Sequence, residues 1–569
     1  MRQKGVYPYD YMDIFEKFND PKLPTKKDFY SMLTNTGITD EQYQHAQKVW
    51  STFRLQNMGQ YHDLYLKSGV LLLADVFENF RKTGLENIEL DPVHYFTTPG
   101  LSWDVVLKMT GIKLELINDI DQYQFIKKGM HGGTSYIAHR YGEANNKHMS
   151  NYEAEKTSKY LMYLHTNNLY GWAMMQYLPY GGFRWLTEKQ IEKLVKKVNI
   201  PEDNKKGYIL EVDLEYPTEL YNLHNDYPCA PEKMNITKDM LSPYCKQIQE
   251  KFGISIGQVS KLVPTLLNKT KYVLHYRNLQ LYLELGLTLK KVHRVLEFNQ
   301  SPWLKQYIEY NTNKRMQAKN AFEKDFFKLM INSVSGKTIE NLRKRVDVRL
   351  VTDHNQYLKI VSKPSFSGSK AFNENLVAVH EIKECLTLDR PAYVGMCILD
   401  LSKTPMYDFH YNTIKKMYGN KARLLFTDTD SLCYEIATED AYQDIWSQRD
   451  LYDFSDYAKN SPFYNASNKK VPCKFKDECG GLPMGSFIGL RSKMYSYLMD
   501  NGKNNKTCKG VKKDVIKKNI SHRCYEDVLF NNKEILHKMN TIRGDHHRLS
   551  SYQVNKISLS CFDDKRYIL

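Results

Sequence analysis

From Leu424 to Ile436 the chain reads L-L-F-T-D-T-D-S-L-C-Y-E-I: an apolar run, a tight polar turn, then an alternating run. The pattern predicts two strands joined by a hairpin whose tip carries Asp428 and Asp430. A further apolar strand is expected over 159–164, running into the polar turn Asn167-Asn-Leu-Tyr-Gly171. Helical periodicity fills residues 1 to about 127, and it returns from Asn313 to Met330 in a stretch rich in Lys, Arg and apolar residues. Gly489–Tyr495 reads as extended, which would set Lys493 and Tyr495 on one side of a strand. Ser365–Lys370 has the composition of a loop tip.

The hairpin is the richest in chemistry. Two carboxylates held that close repel unless a hard divalent cation lies between them, and Mg²⁺ is the usual occupant. The flanking apolar strands supply the rigidity such a site needs. Lys328-Leu-Met-Ile-Asn-Ser-Val-Ser-Gly336 follows the long helical pattern. A lysine near a helix end, one turn before Asn332, suits a cation reaching phosphate oxygens while the helix packs along a base.

Taken in order, these segments resemble the family B DNA polymerases, in particular the protein-primed branch of linear viruses, linear plasmids and self-synthesising transposons. His165–Gly171 resembles motif A, Lys328–Gly336 motif B (K-x3-N-S-x-x-G), Thr427–Ser431 motif C, and Lys493–Tyr495 the K-x-Y motif. Met130-His-Gly-Gly133 is similar to the Gly-Gly element between exonuclease and polymerase parts. Lys269–Tyr276, Ser301–Leu304 and Asp563–Tyr567 extend the resemblance over nearly the whole chain.

The resemblance implies an α+β fold of right-hand architecture: an antiparallel-sheet palm, helical fingers and a thumb, behind a truncated exonuclease-like N-terminal region. It sets a remnant exonuclease-like domain at 1–130, a first palm part with a family-type insertion at 131–298 and fingers at 299–345. A second insertion and the palm with its hairpin follow at 346–500, and the thumb at 501–569. It implies templated addition of deoxynucleotides to a primer 3′-hydroxyl with two Mg²⁺ ions about 3.5–4 Å apart, or Mn²⁺ in their place. Asp428 and Asp430 would be ligands. Lys328 would bind the incoming phosphates, assisted by Lys319 or Arg315. Asn332 and the Gly336 backbone would line the base-pair pocket, and Tyr170 would stack beneath the sugar. Gly132, Gly133, Lys493 and Tyr495 would contact DNA. The partners implied are primer-template DNA, deoxynucleoside triphosphates and a terminal priming protein.

Three positions depart from the family pattern. His165 stands where the family has the aspartate that bridges both metals, and imidazole brings no negative charge to a Mg²⁺ pair. Ser335 replaces the aromatic residue of motif B. Gly69 replaces the aspartate of the third exonuclease motif, which begins at Tyr65; Asp75 lies six residues on, about 240° round a helix, and cannot substitute. The first two exonuclease motifs are expected upstream of Met1, so residues 1–130 are read as scaffold. The departures admit a second reading: a catalytically impaired or inactive relative that still binds primer-template DNA. A rival motif A is Asp213 in E-V-D-L-E-Y-P, with Tyr216 as the steric gate.

Composition agrees. Lys and Arg number 81 against 65 Asp and Glu, a formal charge of +16, which favours a polyanionic partner and salt-dependent binding. The 42 tyrosines suit stacking on bases. The ten cysteines form no C-x-x-C pair, which points to a reduced compartment, nucleus or cytoplasm, without a zinc framework. No stretch is apolar enough to span a bilayer and the first residues lack a signal-peptide core. A basic architectural DNA-binding protein would need no D-T-D-S hairpin, and a nuclease would need carboxylates around Tyr65.

Overall fold

The computed structural model describes residues 4–196, 199–545 and 548–565. Its centre is a five-stranded sheet formed by β1 (Ser135–Ile137), β2 (Lys159–Thr166), β3 (Ala422–Asp428), β4 (Ser431–Ala437) and β5 (Phe475–Asp477), in the order β1-β3-β4-β2-β5. Every pairing is antiparallel. Leu424, Leu432, Leu164 and Tyr434 are buried in one core cluster and Leu425, Phe426 and Cys433 in another, so the apolar runs flanking the polar turn are interior strands packed on both faces. The register sets His165 opposite Ser431.

A second antiparallel sheet packs beside it, with Asn504–Cys508, Met494–Met499, Met484–Arg491 and Tyr141–Glu143 as neighbours in that order. Here the Gly489–Tyr495 expectation is corrected. Lys493 does not lie on a strand; Ser492 and Lys493 form the tight turn between two strands, and Lys493 has φ +58. A third sheet contains Lys206–Glu215 between Thr288–Ser301 and Lys269–His275.

The helical stretch from Asn313 to Met330 is not one helix but two. α1 (Lys305–Gln317) ends before Ala318, and α2 (Ala321–Thr338) begins at the cap residue Asn320. Asn320 Oδ1 accepts from the Glu323 backbone at 2.9 Å, and Glu323 accepts in return from the Lys319 backbone at 2.9 Å. Local capping of this kind outweighs continued periodicity. Lys328 consequently lies in the middle of α2, and motif B is helical through Gly336.

Two other expectations change. Residues 4–39 hold no regular helix, only short 3-10 turns and an isolated bridge between Ser31 and Thr36, with Pro8, Pro21 and Pro24 interrupting the stretch; regular helices begin at Asp40–Thr52 and continue with Met58–Ile88. Ser365–Lys370 is not a loop tip: Phe366–Asn373 is a strand paired with Leu376–Ile382, and the turn falls at 374–375. Its alternating burial is the signal that the serine and glycine content masked. The C-terminal region contains a long two-stranded hairpin, Ile535–Asp545 with Arg548–Leu559. Arg566 and Tyr567 lie outside the described residues. Among the described residues no helix is long and apolar enough to cross a membrane.

Candidate active site

Asp428 closes β3, Thr429 turns the chain with φ +64, and Asp430 precedes β4. A non-glycine residue in that region is strained, and the neighbours hold it. The Thr429 N–H donates to the Thr134 carbonyl at 2.8 Å, and that of Asp430 to the Asp428 carbonyl at 2.8 Å. Gly133 packs directly against this turn: a Cβ there would stand 2.5 Å from Thr429 Cγ2, whereas one on Gly132 would meet nothing within 4 Å. The second glycine of the pair therefore seats the hairpin, and the first faces open space.

Hydrogen-bonded pairing of β2 with β4 brings His165 to the same tip. Its Nε2 lies 3.1 Å from Asp430 Oδ2 and its Nδ1 2.9 Å from Glu478 Oε1. Ionised carboxylates only accept, so both ring nitrogens donate and the ring is an imidazolium. Burial opposes that charge, yet the bonds from Asp430 and Glu478 outweigh it and lift the imidazole from 6.5 to about 9. The same bond to His165 holds the Glu478 carboxyl below its usual range, and Lys476 lies 3.2 Å from it. On the other side of the tip, Lys493 Nζ meets Asp428 Oδ1 at 2.9 Å. Tyr495 is buried, stacked on Phe426 of β3 with centroids 4.3 Å apart, and its hydroxyl is 3.3 Å from that of Tyr163. Lys493 and Tyr495 thus both address the hairpin, one its carboxylate and one its core.

After β2 the chain turns through Asn168 in the left-handed region and enters the short helix Leu169–Met174. Gly171 has no room for a side chain because Asn168 fills the space. Tyr170 sits in this helix; burial first, and the Asp430 charge second, raise its phenol. α2 packs on the same short helix. Its buried face carries Phe326, Phe327, Met330, Ile331 and Val334, which leaves Lys328, Asn332 and Gly336 on the exposed face at helical spacing. A Cβ on Gly336 would meet nothing, and Lys319 is exposed in the break between the helices. The Ser335 hydroxyl donates to the Asn332 carbonyl, within its own helical turn.

Asp213 is remote from this arrangement. It belongs to the third sheet, where it accepts from the Lys271 backbone at 2.7 Å and pairs with His293 at 2.8 Å. The rival motif A is set aside. At the other end of the chain, Tyr65 is hydrogen-bonded to Tyr9 and stacked on Tyr7, while Gly69 faces open space and Asp75 is exposed. Glu478 was missed by the sequence reading. Its only signal is the acidic pair closing Phe475-Lys-Asp-Glu478, which fits no spacing rule.

The donor set does not fit a pair of Mg²⁺ ions. Asp430 is taken by a cationic ring, Asp428 by an ammonium, and among the described residues no group of three or more His, Cys, Asp or Glu is arranged to hold a metal. Hard dications need charge-balancing oxygens, and here the balancing charges are internal cations.

The hairpin bearing Asp428 and Asp430 lies in an antiparallel sheet, and α2 packs on the short helix that follows the neighbouring strand β2. The sequence description of "DNA polymerase type B, organellar and viral" matches residues 1–410, and the chain belongs to that family. No curated relative matches. Among solved structures, phi29 DNA polymerase with primer-template DNA and incoming nucleotide aligns with a TM-score of 0.52 at 14% identity, covering 92% of this chain and 73% of that one. The single-stranded DNA complex of the same polymerase gives 0.51 at 14%, covering 98% and 79%. The α+β, right-hand fold is therefore shared. Family B polymerases use Mg²⁺.

Proposed function

We propose that this chain is a DNA polymerase core that binds primer-template DNA and adds deoxynucleotides to a primer 3′-hydroxyl at a rate held down by its own active site. One observation carries the reading: His165 occupies the strand end beside Asp430 and ties it to Glu478. The position is that of a family ligand; the chemistry is that of an internal cation. Phosphoryl transfer depends on positioning and charge stabilisation, which Mg²⁺ supplies in the family when bound.

The chain's own residues retain the rest of the apparatus. Lys328, Asn332 and Gly336 share an exposed helix face fit for a nucleotide. Tyr170, whose phenol feels the Asp430 charge, would contact the sugar of the nucleotide. Lys493 and the basic C-terminal region favour the DNA backbone. The boundaries 1–130, 131–298, 299–345, 346–500 and 501–569 are retained as the proposed scaffold, palm, fingers, palm with second insertion, and thumb. A priming protein is the proposed partner.

The test is primer extension with Mg²⁺ and with Mn²⁺, run beside primer-template affinity by fluorescence anisotropy. Salt-sensitive binding with very slow extension is expected. Robust extension by the unaltered chain in Mg²⁺ would overturn the slow-catalysis reading, and absence of DNA binding would overturn the whole proposal.

A further inference from the structure

The small sheet within residues 346–382 has two edges that are built differently. Leu376–Ile382 is its central strand, with Val346–Val351 on one side and Phe366–Asn373 on the other. Phe366–Asn373 breaks register with the central strand twice, between Phe366 and Gly368 and between Ala371 and Asn373, and it carries Lys370. Bulges, glycine and lysine are the usual devices that keep an edge strand from pairing further. Val346–Val351 has none of them. Its register runs unbroken from Val346 opposite Ile382 to Val351 opposite Val377, and its sequence, V-D-V-R-L-V, contains no Pro, Gly or Lys.

The two faces of that strand also differ, because side chains alternate along it. On one face Val351 is buried with Ile360 and Val379 beneath the helix His354–Val361. On the other, Val346 is 64% and Leu350 66% exposed, beside Ile382 at 64%. Among the described residues no strand covers the outer side of Val346–Val351. A straight apolar edge left open in this way is a template for another strand.

We infer that the outer edge of Val346–Val351 pairs antiparallel with the same strand of a second copy of this chain, about a two-fold axis at Val348. The sequence is complementary to itself about that point. Pairing there sets Val348 against Val348, Val346 against Leu350, and Asp347 against Arg349 on both sides of the axis. Cross-strand pairs of both kinds are favourable. Within one copy Arg349 Nη2 lies 3.9 Å from Asp347 Oδ2, beyond hydrogen-bond length, while Arg349 Nε is 3.1 Å from Glu381 Oε2. The outer end of the guanidinium is thus left for a carboxylate arriving across the axis. A foreign strand would have to match this alternation of charge; a second copy carries it already. The pair also closes on itself, since the remaining edge of each copy is the blunted one. So short a pairing buries less than the roughly 1,200 Å² of a standard stable interface, which makes the dimer weak and concentration-dependent.

Sedimentation equilibrium of the full chain without DNA, from about 1 to 200 μM, tests this over the range expected of a weak interface. The unaltered chain should show a reversible monomer–dimer equilibrium. Val348→Lys sets like charges on the axis and should weaken the dimer about tenfold. Asp347→Arg alone and Arg349→Asp alone should each do the same. An equimolar mixture of those two variants should recover the dimer, because each strand then carries one sign and meets the other. Such recovery also shows that both variants fold. A chain that stays monomeric throughout overturns the inference, as does a dimer that Val348→Lys leaves intact. Failure of the mixture to recover, with thermal midpoints unchanged, overturns the pairing register. A dimer broken by Ile382→Lys but indifferent to the charge variants would mean that the apolar faces stack, and would overturn the edge pairing.

Discussion

His165 Nε2 lies 3.1 Å from Asp430 Oδ2 at the end of a strand pairing that sets His165 opposite Ser431. Restoring an acid at this point removes the internal cation and frees Asp430. His165→Asp should raise extension on the order of a thousandfold, the weight of several kcal/mol at about 1.36 kcal/mol per decade. Primer-template affinity should change little. Without added metal the variant crowds like charges and should melt lower, and Mg²⁺ should raise its melting point but not that of the unaltered chain. A variant that Mg²⁺ neither activates nor stabilises would refute the assignment; Ser335 limits how much activity returns.

The imidazole also makes stability depend on pH. Its folded pKa, about 9, lies above the ordinary 6.5. A raised pKa stabilises fully below the unfolded value and ceases to do so as pH rises through the folded one. The thermal midpoint of the unaltered chain should therefore exceed that of His165→Asn at pH 6, with the gap closing by pH 10. Partial exposure of the pair keeps the gap small. A gap that widens with pH would contradict the charged ring.

The two glycines before β1 should respond differently. Gly133→Ala sets a methyl group 2.5 Å from Thr429 Cγ2, so the hairpin turn must move. Overpacking of this kind costs about 1–3 kcal/mol, readable by denaturant unfolding. Gly132→Ala, with nothing within 4 Å, should leave stability unchanged and can report on DNA contact alone.

Degradation of single-stranded DNA should be absent. Tyr65 is engaged with Tyr7 and Tyr9, and Gly69 offers no carboxylate. Metal-dependent 3′ to 5′ hydrolysis, abolished by changes near Tyr65, would refute this.

The hairpin and its neighbour strand were legible because buried strands and a polar turn leave a local pattern, and because N-N-L-Y-G marks the turn after His165. Asn320 was less visible: one capping side chain divides a helix that periodicity alone runs together. Lys493 was misplaced on a strand because a lysine at positive φ has no composition signal, unlike glycine. Glu478 could not be foreseen. Its partner lies 313 residues away, and only the placement of β5 beside β2 brings them together.

That separation governs how the molecule is made. β2 pairs along its length with β4 and β5, so beyond its bridge from Lys159 to Asn145 it has no strand partner until residues 431–437 and 475–477 have been synthesised. Throughout that interval its apolar strand remains an open edge, and non-local pairing of this kind is slow to form. Chains stopped between 166 and 431 should aggregate through β2, and their solubility should recover when a separate fragment supplying β3 to β5 is co-expressed.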